Sequence, residues 1–475
     1  MNIVIVGAGV VGYSLAEHLV GRDHHIAIID HNQGLCAEVD AKLDVITVNG
    51  HGSSPRSLEA AGIRDADMIA AVTPSDDTNL VACSFAKQYG VRKRIARIRS
   101  EDYTGLQSKI GLEALGVTHV IEPEKELVRS ILQYVELPGL TETSNFQMEN
   151  VYLRGYRIDS SMPVAGKKLA EIGALTGSMP ILIVLIVREG RGILPTGAER
   201  ILAGDEIIAI MASESLSGFR KLVGRPETKL KKVIISGDTL TSVHLANAVR
   251  PLADRVILVD PDAEHGRLAA AELEGVEVIN GNCTSTDLLQ EINIRATPMF
   301  IAAGSDTEDN VMSCLLAKAE GAGEVIAVTN SERHMDMFRT LGLNHIINPR
   351  KTTAQTIIAN VLKIPIGALL RLRNVDIEVT RFVAEKNCRI LNRPLSGLVD
   401  VFKRSMIIGS VFRNDTVIIP SGDTVIQEGD VVLVLYRPKA VNAVYKLFRS
   451  RGVASRFSRG KEPPSDAEEL REPEA

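Results

Sequence analysis

The chain has 475 residues, 45% of them hydrophobic and 24% charged, the make-up of a soluble globular protein of about two to four ordinary domains. A formal net charge of −5 excludes any general attraction to nucleic acid or anionic lipid. Five scattered cysteines (Cys36, Cys83, Cys283, Cys314 and Cys388) form no CxxC pair, which argues against a disulfide framework and fits a reducing cytoplasm.

The opening residues Met1-Asn-Ile-Val-Ile-Val6 read directly as a strand, with no basic n-region or cleavage site, so no export signal is expected. Strands and helices then alternate. Asn2–Val6 precedes a helix from Val11, Ile26–Asp30 precedes another, and Met68–Val72 precedes a helix over Asn79–Tyr89, followed by a strand at Arg94–Ile98. Such alternation predicts a parallel sheet wound on both faces. A helical stretch, Lys125–Tyr134, closes this half, and Leu137-Pro-Gly139 breaks it. From Val151 short strands are separated by turn signals such as Arg188-Glu-Gly-Arg-Gly192, Pro195-Thr-Gly197 and Ala203-Gly-Asp205, with β-rich Ile207–Met211 following. This predicts a small α+β domain of about 80 residues, too small for a large cleft. Its apolar run Ile181–Val187 ends at Arg188 and Glu189. A membrane-spanning helix needs about 20 apolar residues, so the run reads as a buried strand.

The pattern then repeats. At an offset of 230 positions Gly7 falls on Gly237, Leu15 on Leu245, Ala16 on Ala246 and Asp30 on Asp260. Further on, Asn49-Gly50 pairs with Asn280-Gly281, Asn79 with Asn310, Cys83 with Cys314 and Pro123 with Pro349. Pro195-Thr-Gly197 matches Pro420-Ser-Gly422, and Gly204-Asp205 matches Gly429-Asp430. A collinear series of this length is the mark of duplication, and its period is that of a whole module. The predicted fold class is α/β: duplicated Rossmann-like, doubly wound parallel-sheet domains, each followed by a small α+β domain. Boundaries are expected at 1–124 and 142–224 for the first module and 229–350 and 367–450 for the second. Polar Arg225–Lys232 links them, and residues 454–475 have the composition of a disordered tail.

The chemistry concentrates at Gly7-Ala8-Gly9-Val10-Val11-Gly12, a GxGxxG pattern between an apolar strand and a helix. The first glycine allows a tight turn, the second admits a pyrophosphate to the backbone, and the third lets the helix pack on the strand. Free N–H groups and the dipole at the helix start supply an anion site. Asp30 lies 23 residues beyond Gly7 at a strand end. A carboxylate there accepts hydrogen bonds from ribose hydroxyls and repels a 2′-phosphate, which favours NAD over NADP. The expected ligand is NAD or NADH, although the loop and Asp30 would also accept the adenosine half of ATP or ADP. The plainer alternative is a scaffold that keeps its glycines for packing alone.

The copy departs from this pattern. Gly237-Asp238-Thr239-Leu240-Thr241-Ser242 keeps one glycine, puts a Cβ at Thr239 and adds a negative charge at Asp238. Asp260 survives as the counterpart of Asp30, but weak or no dinucleotide binding is expected there. Thr73 and Pro74, past the fourth strand, are candidate contacts to the ribose or nicotinamide, or else the cap region of the next helix. Arg97 and Arg99 stand where the second module has Val328 and Asn330, and either neutralise a pyrophosphate or form a surface strand face. His24, His25, His31 and His51 lack metal-ligand spacing. There is no GxSxG elbow and no P-loop. With no catalytic constellation in a substrate domain, the pattern points to a sensor, the competing reading being an NAD-dependent oxidoreductase.

On Ile5-Val-Gly-Ala-Gly-Val-Val-Gly12, Gly50-His-Gly-Ser53, Ala66-Asp-Met-Ile-Ala-Ala-Val-Thr73, Asp76-Asp-Thr-Asn79 and Arg94-Ile-Ala-Arg-Ile-Arg-Ser100, the chain resembles the peripheral NAD-binding regulatory subunits of Trk-type potassium uptake systems. These are tandem RCK (KTN) domain proteins. The resemblance implies a non-enzymatic regulator, forming a homotetrameric ring on the inner face of the membrane by docking on a potassium-translocating subunit. It also implies first-module nucleotide contacts by Gly7 to Val11, Asp30, Thr73, Pro74 and Arg97. A regulator of another cation transporter, such as a cation/proton antiporter, is the alternative within this class.

Overall fold

A computed structural model describes residues 1–448 except 21–23, 105–110, 147–150, 177–178, 226–228, 332–334, 362–376, 399–404 and 415. The expected tail, the middle of the linker and the start of the last domain lie outside the described residues.

The first module opens with β1 (Asn2–Val6), α1 (Val10–Leu19), β2 (His25–Asp30), α2 (Gln33–Lys42), β3 (Ile46–Asn49) and α3 (Pro55–Ala60). It continues with β4 (Met68–Ala71), α4 (Asp76–Gln88), β5 (Lys93–Arg97), α5 (Glu101–Thr104), β6 (His119–Ile121) and α6 (Pro123–Glu136). The six strands form one parallel sheet in the order β3-β2-β1-β4-β5-β6. Helices cover both faces, so the central strand β1 is apolar after Asn2: Ile3 to Val6 are all 2% exposed or less. The chain then builds an antiparallel sheet from β7 (Leu140–Phe146), β8 (Val151–Arg157), β9 (Ile181–Arg188), β10 (Arg191–Ile193) and β11 (Glu206–Ala212), with α7 (Ile172–Thr176) and α8 (Leu216–Leu222). The run Ile181–Val187 is indeed a strand, and no described helix is long and apolar enough to cross a membrane.

The second module repeats the plan. Its parallel sheet, β14-β13-β12-β15-β16-β17, comes from β12 (Val233–Ser236), β13 (Val256–Asp260), β14 (Glu277–Asn280), β15 (Met299–Ala302), β16 (Glu324–Val328) and β17 (His345–Ile347). Between and after these strands lie α9 (Leu240–Val249), α10 (Ala263–Glu272), α11 (Thr286–Glu291), α12 (Thr307–Ala319), α13 (Met335–Thr340) and α14 (Pro349–Val361). A second antiparallel sheet pairs β18 (Glu378–Val383), β19 (Met406–Arg413), β20 (Thr416–Ile418) and β21 (Val431–Tyr436), with α15 (Val441–Phe448) after it.

Three expectations are corrected. The helix after β4 starts at Asp76, three residues before Asn79, because Ser75 caps it by accepting a hydrogen bond from Thr78 N at 3.2 Å. The short strands expected from Val151 are preceded by one more, β7, which starts at Leu140 directly after Gly139 (φ +93°). The third correction changes the architecture. The helix expected over Lys125–Tyr134 spans Pro123–Glu136 and does not close its own sheet. It lies against α9, and Leu127, Val128 and Ile131 join the core of Val233, Val243 and Leu245 in the second module. Reciprocally, α14 lies against α1, and Ala354, Ile357 and Ile358 join the core of Ile3, Leu15 and Ile95 in the first. The two exchanged helices touch each other, Thr356 Oγ1 donating to the buried Glu126 Oε2 at 3.1 Å. The small domains also share a core, in which Val151, Leu185 and Ile210 pack with Val379, Leu433 and Leu435.

Candidate nucleotide-binding crevice

In the first sheet, chain direction across the sheet reverses between β1 and β4, and the loops after these strands flank a crevice at the carboxyl edge. The three glycines after β1 do different jobs. Gly7 sits at φ +109°, where side chains are disfavoured, and a Cβ there would lie 3.2 Å from Thr73 N. At Gly12 a Cβ would overlap the carbonyl oxygen of Gly7, so this glycine seats α1 on β1. Gly9 differs: its backbone (φ −66°, ψ −175°) suits any residue, and a Cβ would meet nothing within 4 Å. It is exposed and no side chain caps the ten-residue helix it starts, so the first-turn N–H groups of α1 have no capping side chain. Packing does not require glycine here, but approach of an anion to the backbone does.

Asp30 ends β2 with its side chain 9% exposed. Its Oδ2 accepts from Ala8 N at 2.7 Å and its Oδ1 from Asn32 N at 2.8 Å, so the carboxylate shapes the glycine loop and keeps further lone pairs for a ligand. Exposed His31 stands beside it, Nδ1 3.3 Å from Oδ1, with the His51 ring 5.8 Å from that of His31.

Thr73 and Pro74 follow β4 at the crevice rim, Thr73 half-buried and Pro74 exposed. The Thr73 hydroxyl donates to Asn79 Oδ1 at 2.7 Å, as Thr73 N does at 3.0 Å. Asn79 Nδ2 donates to Thr73 O and to Arg97 O. Fully buried Asn79 therefore ties the rim to β5, a role that was visible in the sequence only as the repeated pair Asn79 and Asn310. Gly52, within the Gly50-His-Gly-Ser53 motif, is held by packing: a Cβ there would overlap Val6 Cγ1, so the loop after β3 lies directly on the end of β1. Arg97 and Arg99 separate. Arg99 Nε donates to Glu124 Oε1 at 3.2 Å. Arg97 is half-buried and its Nε has no hydrogen-bond partner among the described residues. Burial first, then Arg99 and Arg350 at the start of α14, push its guanidinium pKa down, against the upward pull of Glu124 and Asp76.

The second crevice is filled by its own side chains. Thr239 stands at the Gly9 position and caps α9, its Oγ1 accepting from Ser242 N at 3.2 Å and donating to Ala303 O at 3.0 Å. Ser242 Oγ donates to Gly237 O at 3.1 Å. Asp238 bridges the crevice, accepting from Ser305 N and Ser305 Oγ, both at 2.7 Å. Burial pushes its pKa up, but these bonds and nearby His265 outweigh that and hold it below the usual carboxylate range. Asp260 is fully buried, engaged by His265 Nδ1 and by Asp262 N.

Family models bear on the whole chain. The TrkA-N domain matches residues 3–123 and 233–349, and the TrkA-C domain matches residues 153–224 and 379–449. The chain is 30% identical over 454 residues to the Trk system potassium uptake protein TrkA of Azorhizobium caulinodans, covering 94% of this chain and 99% of that one. It is 30% identical over 455 residues to the protein of that name from Vibrio alginolyticus, with the same coverage of 94% and 99%. Among solved structures, the GsuK RCK domain shares the fold with a TM-score of 0.57 at 17% identity, covering 94% of both chains. The GsuK channel bound to NAD does so with a TM-score of 0.58 at 17% identity, covering 94% of this chain and 78% of that one. Two copies each of the TrkA-N and TrkA-C domains and near full-length similarity place this chain in the TrkA family of Trk potassium uptake proteins.

Proposed function

We propose that the chain is a nucleotide-sensing regulator whose first module binds NAD or NADH, with ATP and ADP as competing ligands, and which gates a Trk-type membrane potassium-translocating subunit. In this reading it works in the cytoplasm, as a homotetrameric ring on the inner face of the membrane, and catalyses no reaction. The observation that carries it is the contrast at one position. Gly9 leaves the start of α1 without a side-chain cap beside Asp30, whereas Thr239 stands at that position in the second module and caps α9 by accepting from Ser242 N. The contacts assigned to the ligand are Gly7, Ala8, Gly9, Val10, Val11 and Gly12 for the pyrophosphate, Asp30 for the ribose, and Thr73, Pro74 and Arg97 at the far rim. Asp260 is left out, because His265 engages its carboxylate.

Gating follows from linkage: a nucleotide shifts the ring only by the difference in its affinity for two conformations, typically about 1–3 kcal/mol per site. Arg97 is a natural relay, since Arg350, from the exchanged helix of the second module, adds to its positive surroundings. Competitive binding of NAD, NADH, ATP and ADP to wild type and Asp30→Ala tests the ligand assignment, with loss of affinity expected in the variant. Unchanged affinity would remove Asp30 from the site. Potassium uptake with Gly9→Val tests the gating, and normal nucleotide-dependent uptake would sink it. Turnover of NADH by the purified chain would favour an oxidoreductase instead.

A further inference from the structure

The two crevices differ across their mouths as well as at the helix start. In the second, the loops after β12 and β15 are laced together. Asp238 accepts from Ser305 N and Ser305 Oγ, both at 2.7 Å, and Thr239 Oγ1 donates to Ala303 O at 3.0 Å. The backbones meet beside these bonds, since a Cβ on Gly237 would lie 2.9 Å from both Ala303 O and Gly304 N. At the ribose end His265 Nδ1 closes on the fully buried Asp260 carboxylate.

Each lacing group is missing from the matching position of the first crevice. Ala8 stands for Asp238, Gly9 for Thr239 and Leu35 for His265, at the offset of 230 that carries Gly7 onto Gly237. Pro74 stands for Ser305, five residues before Asn79 as Ser305 is before Asn310, and it has neither an N–H nor a hydroxyl to donate. The side-chain bonds of Thr73 run to Asn79 and to the Ser75 backbone, on its own side of the crevice. Among the described residues, no side-chain hydrogen bond joins the loop after β1 to the loop after β4. Bridging that gap is left to a ligand.

Resting on the nucleotide reading of the first crevice, we propose that the second module carries its own internal ligand. Asp238, with Thr239, ties the second crevice shut as a bound dinucleotide ties the first, and beneath the tie lies a latent site for an adenine dinucleotide. The tie is intramolecular, so it acts at a high effective concentration and keeps free nucleotide out. A ligand shifts only those states for which it has different affinities, so the second module holds one shape while the first responds.

Two measurements on the full-length chain test this. Without nucleotide, Asp238→Ala should speed amide exchange several-fold at residues 237–242 and 303–306. Unchanged exchange at 237–242 would overturn the internal tie, whatever the chain binds. The triple variant Asp238→Ala/Thr239→Gly/His265→Leu gives the second crevice the residues of the first, and calorimetry should find two equivalents of NADH per chain against one in wild type. One equivalent in a variant that still melts cooperatively would overturn the latent site. Failure of both wild type and variant to bind NADH would instead sink the nucleotide reading, and the latent site with it. Should the triple variant not fold, Asp238→Ala/Thr239→Gly replaces it: NADH should restore the protection lost at 237–242, and no restoration counts against the site.

Discussion

A methyl group at Gly9 would meet no atom within 4 Å, whereas one at Gly12 would overlap the Gly7 carbonyl oxygen. Gly9→Val should therefore fold with an almost unchanged melting temperature and lose the thermal shift given by NADH. Gly12→Val should cost about 1–3 kcal/mol by overpacking, whatever its effect on binding. Thermal melts of both variants with and without NADH check the pair, and equal destabilisation would refute this division of labour. In the second crevice, Thr239→Ala removes the cap of α9 at a cost of about 1 kcal/mol. It should leave one NADH per chain by calorimetry, because Asp238 still bridges to Ser305. Much of this was legible beforehand, since the glycine spacing, the acid at the strand end and the loss of glycine at Thr239 are local patterns with local causes. What escaped was side-chain partnership. Nothing in the spacing of Asp260 and His265 shows that the histidine turns back onto the carboxylate, nor that Asn79 reaches Arg97 on another strand.

Element positions followed the alternation of apolar runs, because a strand buried on both faces and a helix buried on one leave distinct periodicities. The partners of α6 and α14 did not. An apolar helix face records that something covers it, not which sheet does. Each of these helices leaves its own sheet and completes the other module. Energetic consequences follow the packing rather than the chain order. Ile357 is fully buried on α14, yet the core it completes is that of β1 and α1. Ile357→Ala should cost about 2–5 kcal/mol and speed amide exchange chiefly in β1 and α1. Exchange that rises only in the second module's sheet would show that the helix stabilises its own module after all.

At the scale of the molecule, duplication lets one chain supply both halves of an interface that a single module cannot satisfy. The first module alone would bare the face of α6 that now covers Val233, Val243 and Leu245. It would bare the sheet face of Val151, Leu185 and Ile210 too, and would lack α14 over Ile3, Leu15 and Ile95. An unpaired apolar surface of this kind seeks a complementary one. The nearest complement is a second copy, since the two modules are related by an approximate exchange of equal parts and such interfaces close on a two-fold axis. Residues 1–224 expressed alone should therefore form a dimer in which α6 of each copy covers the α1 face of the other, a place held by α14 in the full chain. Light scattering at micromolar concentration checks this, with a stable monomer as the contrary result. The same experiment isolates the asymmetry of the full chain. A dimer of first modules would carry two Gly9-type crevices, so it should bind two equivalents of NADH, against one in the full-length chain, where Thr239 and Ser242 fill the second crevice.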